Sequence, residues 1–259
     1  MMPASTGIEW TDATWNPVTG CTRVSAGCDF CYAETLSRRL LRDIYCARAP
    51  VRNTERARED PFAVRLWPER LEQPLNWHRP SLIFVNSMSD VFHADVPEDY
   101  LRDMFAVMQE AAWHTYQVLT KRPARARRFV ERNRDLFQHG EYPEHIWIGT
   151  SVESRDVTFR IDHLRAVPAR TRFLSFEPLL GPVTPDLRGI HWVIAGGESG
   201  PRRRPMKEEW AASLRDLCIS AGIPFFFKQW GGRTPKAGGR ELAGETWDEM
   251  PAVIAVAGS

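Results

Sequence analysis

The chain has no uninterrupted apolar run of about eighteen residues, the length a helix needs to cross a bilayer, so a spanning helix is excluded. It also lacks a Ser-His-Asp order, a glycine-rich phosphate loop and an HExxH zinc motif, which leaves the commonest hydrolytic chemistries without residues to run on. Excess charge of either sign is missing: 34 Lys and Arg against 33 Asp and Glu give a formal +1. That offers no global attraction to nucleic acid or to an anionic membrane, so any such binding must come from local patches. Cysteine is scarce and odd in number, five in 259 residues, and nothing resembling a secretory signal opens the chain. A disulfide framework is therefore disfavoured, and a reducing, cytoplasmic setting is expected.

Three of those five cysteines crowd into Cys21-TRVSAG-Cys28-DF-Cys31. A [4Fe-4S] cluster takes four ligands, so a loop supplying three thiolates leaves one iron open to a small molecule. Gly20 and Gly27 each precede a cysteine, where a positive φ would let the backbone turn and direct N–H groups at sulfur. Zinc is the rival metal. It would need a fourth protein ligand, from Cys46, His78 or His93, and the six-residue first spacing is wider than zinc sites usually show.

The length and a 43% hydrophobic content suit one α/β barrel domain, residues 1–259. A strand reads from Ala13 to Val18, and further β-rich runs recur at 81–85, 116–119, 146–149, 171–175, 191–195 and 223–227. Most are apolar on consecutive positions, the mark of parallel strands covered on both faces. Amphipathic helices lie between them: Leu36, Leu40 and Leu41 after the cysteines, then Leu101, Met104, Phe105, Met108 and Ala112, then Val157, Ile161 and Leu164. Residues 41–80 read as a helical insertion, 231–259 as a C-terminal extension, and the tail 252–258 as a last strand or frayed end. Between Leu179 and Ile190, two prolines leave at most one helical turn. Trp147 and Trp192 fall inside strands, and Trp210, Leu214, Leu217 and Cys218 share a helix face, so these are core positions and Cys218 is no ligand.

Each apolar run is followed by polar groups: Ser87, Ser89 and Asp90; Lys121; Ser151 and Glu153; Glu177; Gly196, Gly197 and Glu198; Lys228. In a parallel barrel these form one rim with the cysteine loop, suited to a zwitterion or a ribose-bearing ligand. Lys121 could serve a carboxylate or simply open a basic helix, and Ser151 and Glu153 could hold ribose hydroxyls or cap the next helix.

Ile8-Glu9-Trp10-Thr11-Asp12, Trp15-Asn16-Pro17, Gly20-Cys21, Gly27-Cys28, Cys31-Tyr32-Ala33-Glu34, Asn86 to Asp90, Leu119 to Pro123, Gly196 to Gly200 and Lys228 to Gly231 form an ordered series. Together they resemble the phage-associated three-cysteine-motif proteins, a family of unknown function that looks like a branch of the radical S-adenosylmethionine (SAM) enzymes. The resemblance implies a partial (β/α)6 barrel in which Cys21, Cys28 and Cys31 hold a [4Fe-4S] cluster. SAM would bind at the open iron and be cleaved reductively to a 5'-deoxyadenosyl radical. Phe30 matches the aromatic residue near the adenine. Such enzymes commonly place Gly-Gly-Glu after the second strand, where this chain has Ser87 to Asp90. The amino-group contact is therefore expected from Ser87 or Asp90, and Glu198 nearer the adenosine or substrate. A reductant such as flavodoxin or ferredoxin and a separately encoded partner protein are also implied.

Arg202-Arg203-Arg204, close behind the glycine-rich turn, is expected to overhang the rim and could grip the phosphate of a nucleotide or nucleic-acid substrate. The arginines at 122, 125, 127 and 128 read as a solvated helix face. Two readings without SAM chemistry stand beside this one: a zinc-binding module with Cys46 as fourth ligand, and an iron-sulfur carrier or sensor.

Overall fold

A computed structural model describes residues 6–252; the tail 252–258 lies, apart from Ala252, outside them. Strand β1 (Ala13–Trp15) leads through Asn16 and Pro17 into β2 (Val18–Thr19), which pairs antiparallel with β3 (Arg65–Leu66). Helices α1 (Tyr32–Arg39), α2 (Arg42–Cys46) and α3 (Glu55–Glu59) occupy the segment between them. Then come β4 (Leu82–Val85), α4 (Glu98–Glu110), β5 (Thr115–Thr120), α5 (Pro123–Arg132), β6 (Ile146–Ser151), α6 (Phe159–Arg165), β7 (Arg172–Phe176), β8 (Trp192–Gly196), α7 (Glu208–Ala221) and β9 (Phe225–Gln229). A short hairpin of β10 (Glu241–Leu242) and β11 (Glu245–Thr246) follows.

The sheet runs β1-β4-β5-β6-β7-β8-β9, every neighbour parallel, in sequence order, as a curled half-barrel. All seven apolar runs form strands, one beyond the six of a (β/α)6 unit. No helix bridges β7 and β8, in keeping with the proline-broken crossover. Consecutive apolar residues are needed because successive side chains point to opposite faces and both are buried. Ile83, Tyr116, Ile146, Leu174, Val193 and Phe225 pack under the helices. Their neighbours Phe84, Trp147, Phe173, Trp192 and Phe226 pack inside the curl, with Trp10 among them. Trp192 is at the centre of that plug, its ring within 5.6–6.2 Å of those of Trp10, Trp147, Phe173 and Phe226. The floor of the half-barrel is thus solid, and polar side chains collect at the opposite end. Cys218 is fully buried on α7, as its helical spacing required. No helix among the described residues is long and apolar enough to cross a membrane.

One helix differs from its pattern. In α1 the buried side chains are Ala33 and Ser37, while Leu36 and Leu40 are 38% and 71% exposed. The small residues allow close approach, with the Ser37 hydroxyl turned back to donate to the Ala33 carbonyl at 2.7 Å, so the leucines are left outside.

Candidate functional site

The cysteine loop begins where β2 ends. Gly20 has φ +85°, and a Cβ there would lie 2.2 Å from the Ala63 carbonyl oxygen, so only glycine permits this turn. Its N–H donates to Met88 O and that of Cys21 to Phe62 O, which stitches Cys21 between two rim segments. Residues Ala26–Cys28 form a single 3-10 turn, and Cys31 immediately precedes α1. Gly27 does not adopt the positive φ expected of it. Its glycine has a different cause: a Cβ would sit 3.0–3.1 Å from the side chain of Glu153.

Glu153, just past β6, is completely buried and fastens this turn to the barrel. Gly27 N–H donates to its Oε1 at 3.3 Å, and Arg160 Nη1 donates to its Oε2 at 3.0 Å, with Lys121 Nζ 3.5 Å from the same oxygen. Burial pushes its pKa up, but Lys121, Ser25 and Arg160 together outweigh that and hold the carboxyl below its ordinary value. Arg160 is buried as well and also donates to Ser151 O.

A second carboxylate grips the loop from β8. Glu198 accepts three hydrogen bonds from Arg204, at 2.6–3.0 Å, and Arg204 Nη2 passes on to Ala26 O at 2.9 Å. The guanidiniums of Arg202 and Arg204 lie 4.8 and 5.1 Å from the centre of the Phe30 ring. Of the three arginines, Arg202 and Arg203 are exposed at the rim, whereas Arg204 turns inward.

Asp90 is the third anchor. It accepts from Thr120 Oγ1 (2.7 Å), Phe92 N–H (3.0 Å), Lys121 N–H (3.0 Å) and Arg122 Nη1 (2.7 Å). Arg122 in turn reaches Cys21 Sγ at 3.9 Å. Burial, then the Asp90 charge, pushes the Cys21 thiol up to about 12 against the pull of Arg122. Burial also raises Cys31, opposed by the amides of Glu34 and Ala33 at the start of α1 and, more weakly, by Lys121. Sequence spacing marks Arg122 only as part of a basic helix face.

The remaining rim residues divide. Ser87 Oγ pairs with Asn16 and Ser89 Oγ donates to Val18 O, so both tie the β4 loop to the first strands, and Tyr32 OH donates to Ser87 O. Glu177 pairs with Lys228 at 2.8 Å across the ends of β7 and β9. Gly196 and Gly197 end β8, and a Cβ on Gly197 would fall 2.0 Å from the Trp230 carbonyl oxygen.

For the zinc alternative, Cys46 Sγ donates to the Glu59 carbonyl at 3.7 Å and His78 is exposed. His93 has both ring nitrogens engaged, Nδ1 with Asp95 N–H and Nε2 with Thr22 Oγ1. Among the described residues no three His, Cys, Asp or Glu side chains are gathered as a metal-holding group. The donor chemistry nonetheless suits a cluster: Cys21, Cys28 and Cys31 are free thiols on one braced loop, with a guanidinium beside one and helix amides at another.

Fold and rim together define an α/β half-barrel protein whose polar groups converge with a cysteine loop at the carboxyl ends of the strands. The chain belongs to the family described as "Protein of unknown function (DUF5131)", whose profile matches residues 5–251. Among solved structures it is similar to "Spore photoproduct lyase complexed with dinucleoside spore photoproduct", with a TM-score of 0.50 and 11% identity over 84% of this chain and 76% of that one. At that identity the likeness shows the fold. No curated protein matches the chain in sequence.

Proposed function

We propose that this chain is an iron-sulfur enzyme of the radical SAM type, acting on a nucleotide-bearing substrate. The observation that carries the reading is the placement of three free thiols on one loop at the mouth of a parallel half-barrel, with the loop braced by Glu153 and by the Glu198-Arg204 pair. Cys21, Cys28 and Cys31 would hold a [4Fe-4S] cluster. Such a cluster, together with SAM, would supply one-electron reductive chemistry for hydrogen abstraction.

The chain's own residues have separable parts in this. Arg122 beside Cys21, and Lys121 toward Cys31, offset the negative charge that three thiolates bring. Asp90, Glu153 and Glu198 spend their oxygens on the loop and its supports. Contact with SAM then falls mainly to Lys121, Ser151, Glu177, Gly196 and Gly197 on neighbouring strand ends, with Phe30 for the adenine. The Glu177-Lys228 pair offers both charges that a zwitterionic amino acid moiety needs. Exposed Arg202 and Arg203 at the same mouth, and the dinucleoside ligand of the structurally similar lyase, support the substrate class. An external one-electron donor such as flavodoxin or ferredoxin completes the scheme.

Anaerobic reconstitution with iron and sulfide tests it. The expected product is a brown protein absorbing at about 400 nm. C21S, C28S and C31S should each abolish the colour while C46S keeps it, and SAM with dithionite should yield 5'-deoxyadenosine. Iron-poor, colourless protein would overturn the assignment, and colour lost in C46S would favour four-cysteine coordination.

A further inference from the structure

Outside the barrel mouth, between the starts of α5 and α6, lies a cleft of about 320 Å3 whose polar lining is entirely basic. Of its cations, Lys121, Arg122 and Arg160 are already ion-paired, Lys121 and Arg160 sharing Glu153 and Arg122 holding Asp90. Arg125 and Arg128 are not. Arg125 donates only to the carbonyl oxygens of His93 and Val96, and Arg128, exposed, has no hydrogen bond or ion pair among the described residues. Both stand in the first two turns of a ten-residue helix, where the macrodipole adds to the attraction for an anion. On the facing helix Phe159 is 54% exposed and lines the same cleft, its ring edge-on to that of His163 at 5.7 Å and otherwise open to a planar ligand.

At Ala94 this cleft meets a second one, of about 380 Å3, which reaches Cys21 and carries Arg52 and Arg56. Its acids Asp60 and Asp95 are paired with Arg38 and Arg52, while Arg56 is exposed and unpaired among the described residues. One cleft has room for about one nucleotide, and the two end to end have room for more.

We propose that these adjoining clefts form a track for a single strand of nucleic acid: a phosphate rests on Arg125 and Arg128, a base stacks on Phe159, and the strand passes Ala94 toward the cysteine loop. Stacking on one exposed ring beside unpaired guanidiniums suits an unpaired base, because a duplex hides its π faces. That the track delivers substrate to the loop rests on the function proposed above; binding of the strand does not.

Fluorescence anisotropy of a labelled short oligodeoxythymidylate, titrated with the full chain before any iron is loaded, tests the track. Phe159→Ala should weaken binding about tenfold without changing its salt dependence. Arg128→Ala should weaken it by a similar factor and lower the slope of log Kd against log salt by about one. Arg188→Ala, an exposed arginine elsewhere on the surface, should change neither. Equal affinity for all variants, or no binding at low salt, would overturn the proposal. So would thymidine monophosphate competing as well as the oligonucleotide, which would mark a site for a free nucleotide. All variants should still take up iron, so failure here is separable from failure of the cluster assignment.

Discussion

Replacing Glu153 by Gln isolates the electrostatic part of the brace on the cysteine loop. The amide keeps the shape and an acceptor for Gly27 N–H, but Arg160, itself buried, loses its only carboxylate partner among the described residues. Removing one member of a buried ion pair leaves the other uncompensated, at a cost of about 3 kcal/mol. For a chain of this size that should lower Tm by about 6–12 °C in a thermal melt of the metal-free protein. The pH dependence fixes the cause. Since the folded-state pKa of Glu153 is depressed below 4.5, its contribution is present above that value and lost as pH falls through the folded pKa. The gap between wild type and variant should therefore be full at about pH 7 and close in acid. A Tm change of under about 2 °C, or a gap that does not narrow in acid, would refute the reasoning.

Gly197→Ala should destabilise by about 3 kcal/mol or more, since its Cβ would meet a main-chain oxygen at 2.0 Å that no side-chain rotation relieves; denaturant unfolding reads this. Trp192→Ala empties the centre of the aromatic plug and should cost about 3–5 kcal/mol by the same measurement. Because burial holds the Cys21 and Cys31 thiols up in the metal-free chain, loading with Co(II) as a spectroscopic probe should release about one proton per thiol bound. Affinity should rise from about pH 6.5 to 8.5, and pH-independent loading would contradict it.

The sheet was legible because runs such as 192–195 are apolar at consecutive positions, as strands covered on both faces require, and because they recur with helical patterns between them. The rim followed from it, since whatever succeeds such a strand must gather at one end. What could not be read is how those rim residues are spent. Arg204 reaches Ala26 across 178 positions, and nothing in the spacing of Arg202-Arg203-Arg204 distinguishes the inward guanidinium from the two outward ones. The glycine at 27 was legible as a constraint but not in kind, because its reason is a side chain 126 positions away. In α1 the leucine spacing gave the helix correctly yet not its buried face, which small residues decide here.

The last strand of the sheet carries one more consequence. On its open side β9 is joined by Trp247 to Glu249, with Phe227 N–H donating to Trp247 O, Glu249 N–H to Phe225 O, and Trp192 Nε1 reaching Glu249 O through the curl. A chain trimmed ahead of Trp247 would present a bare ribbon of unsatisfied amides beside three phenylalanines, a template on which copies could zip together. Shortened versions made for crystallography or for fusion should retain this short antiparallel selvedge, or self-association will follow.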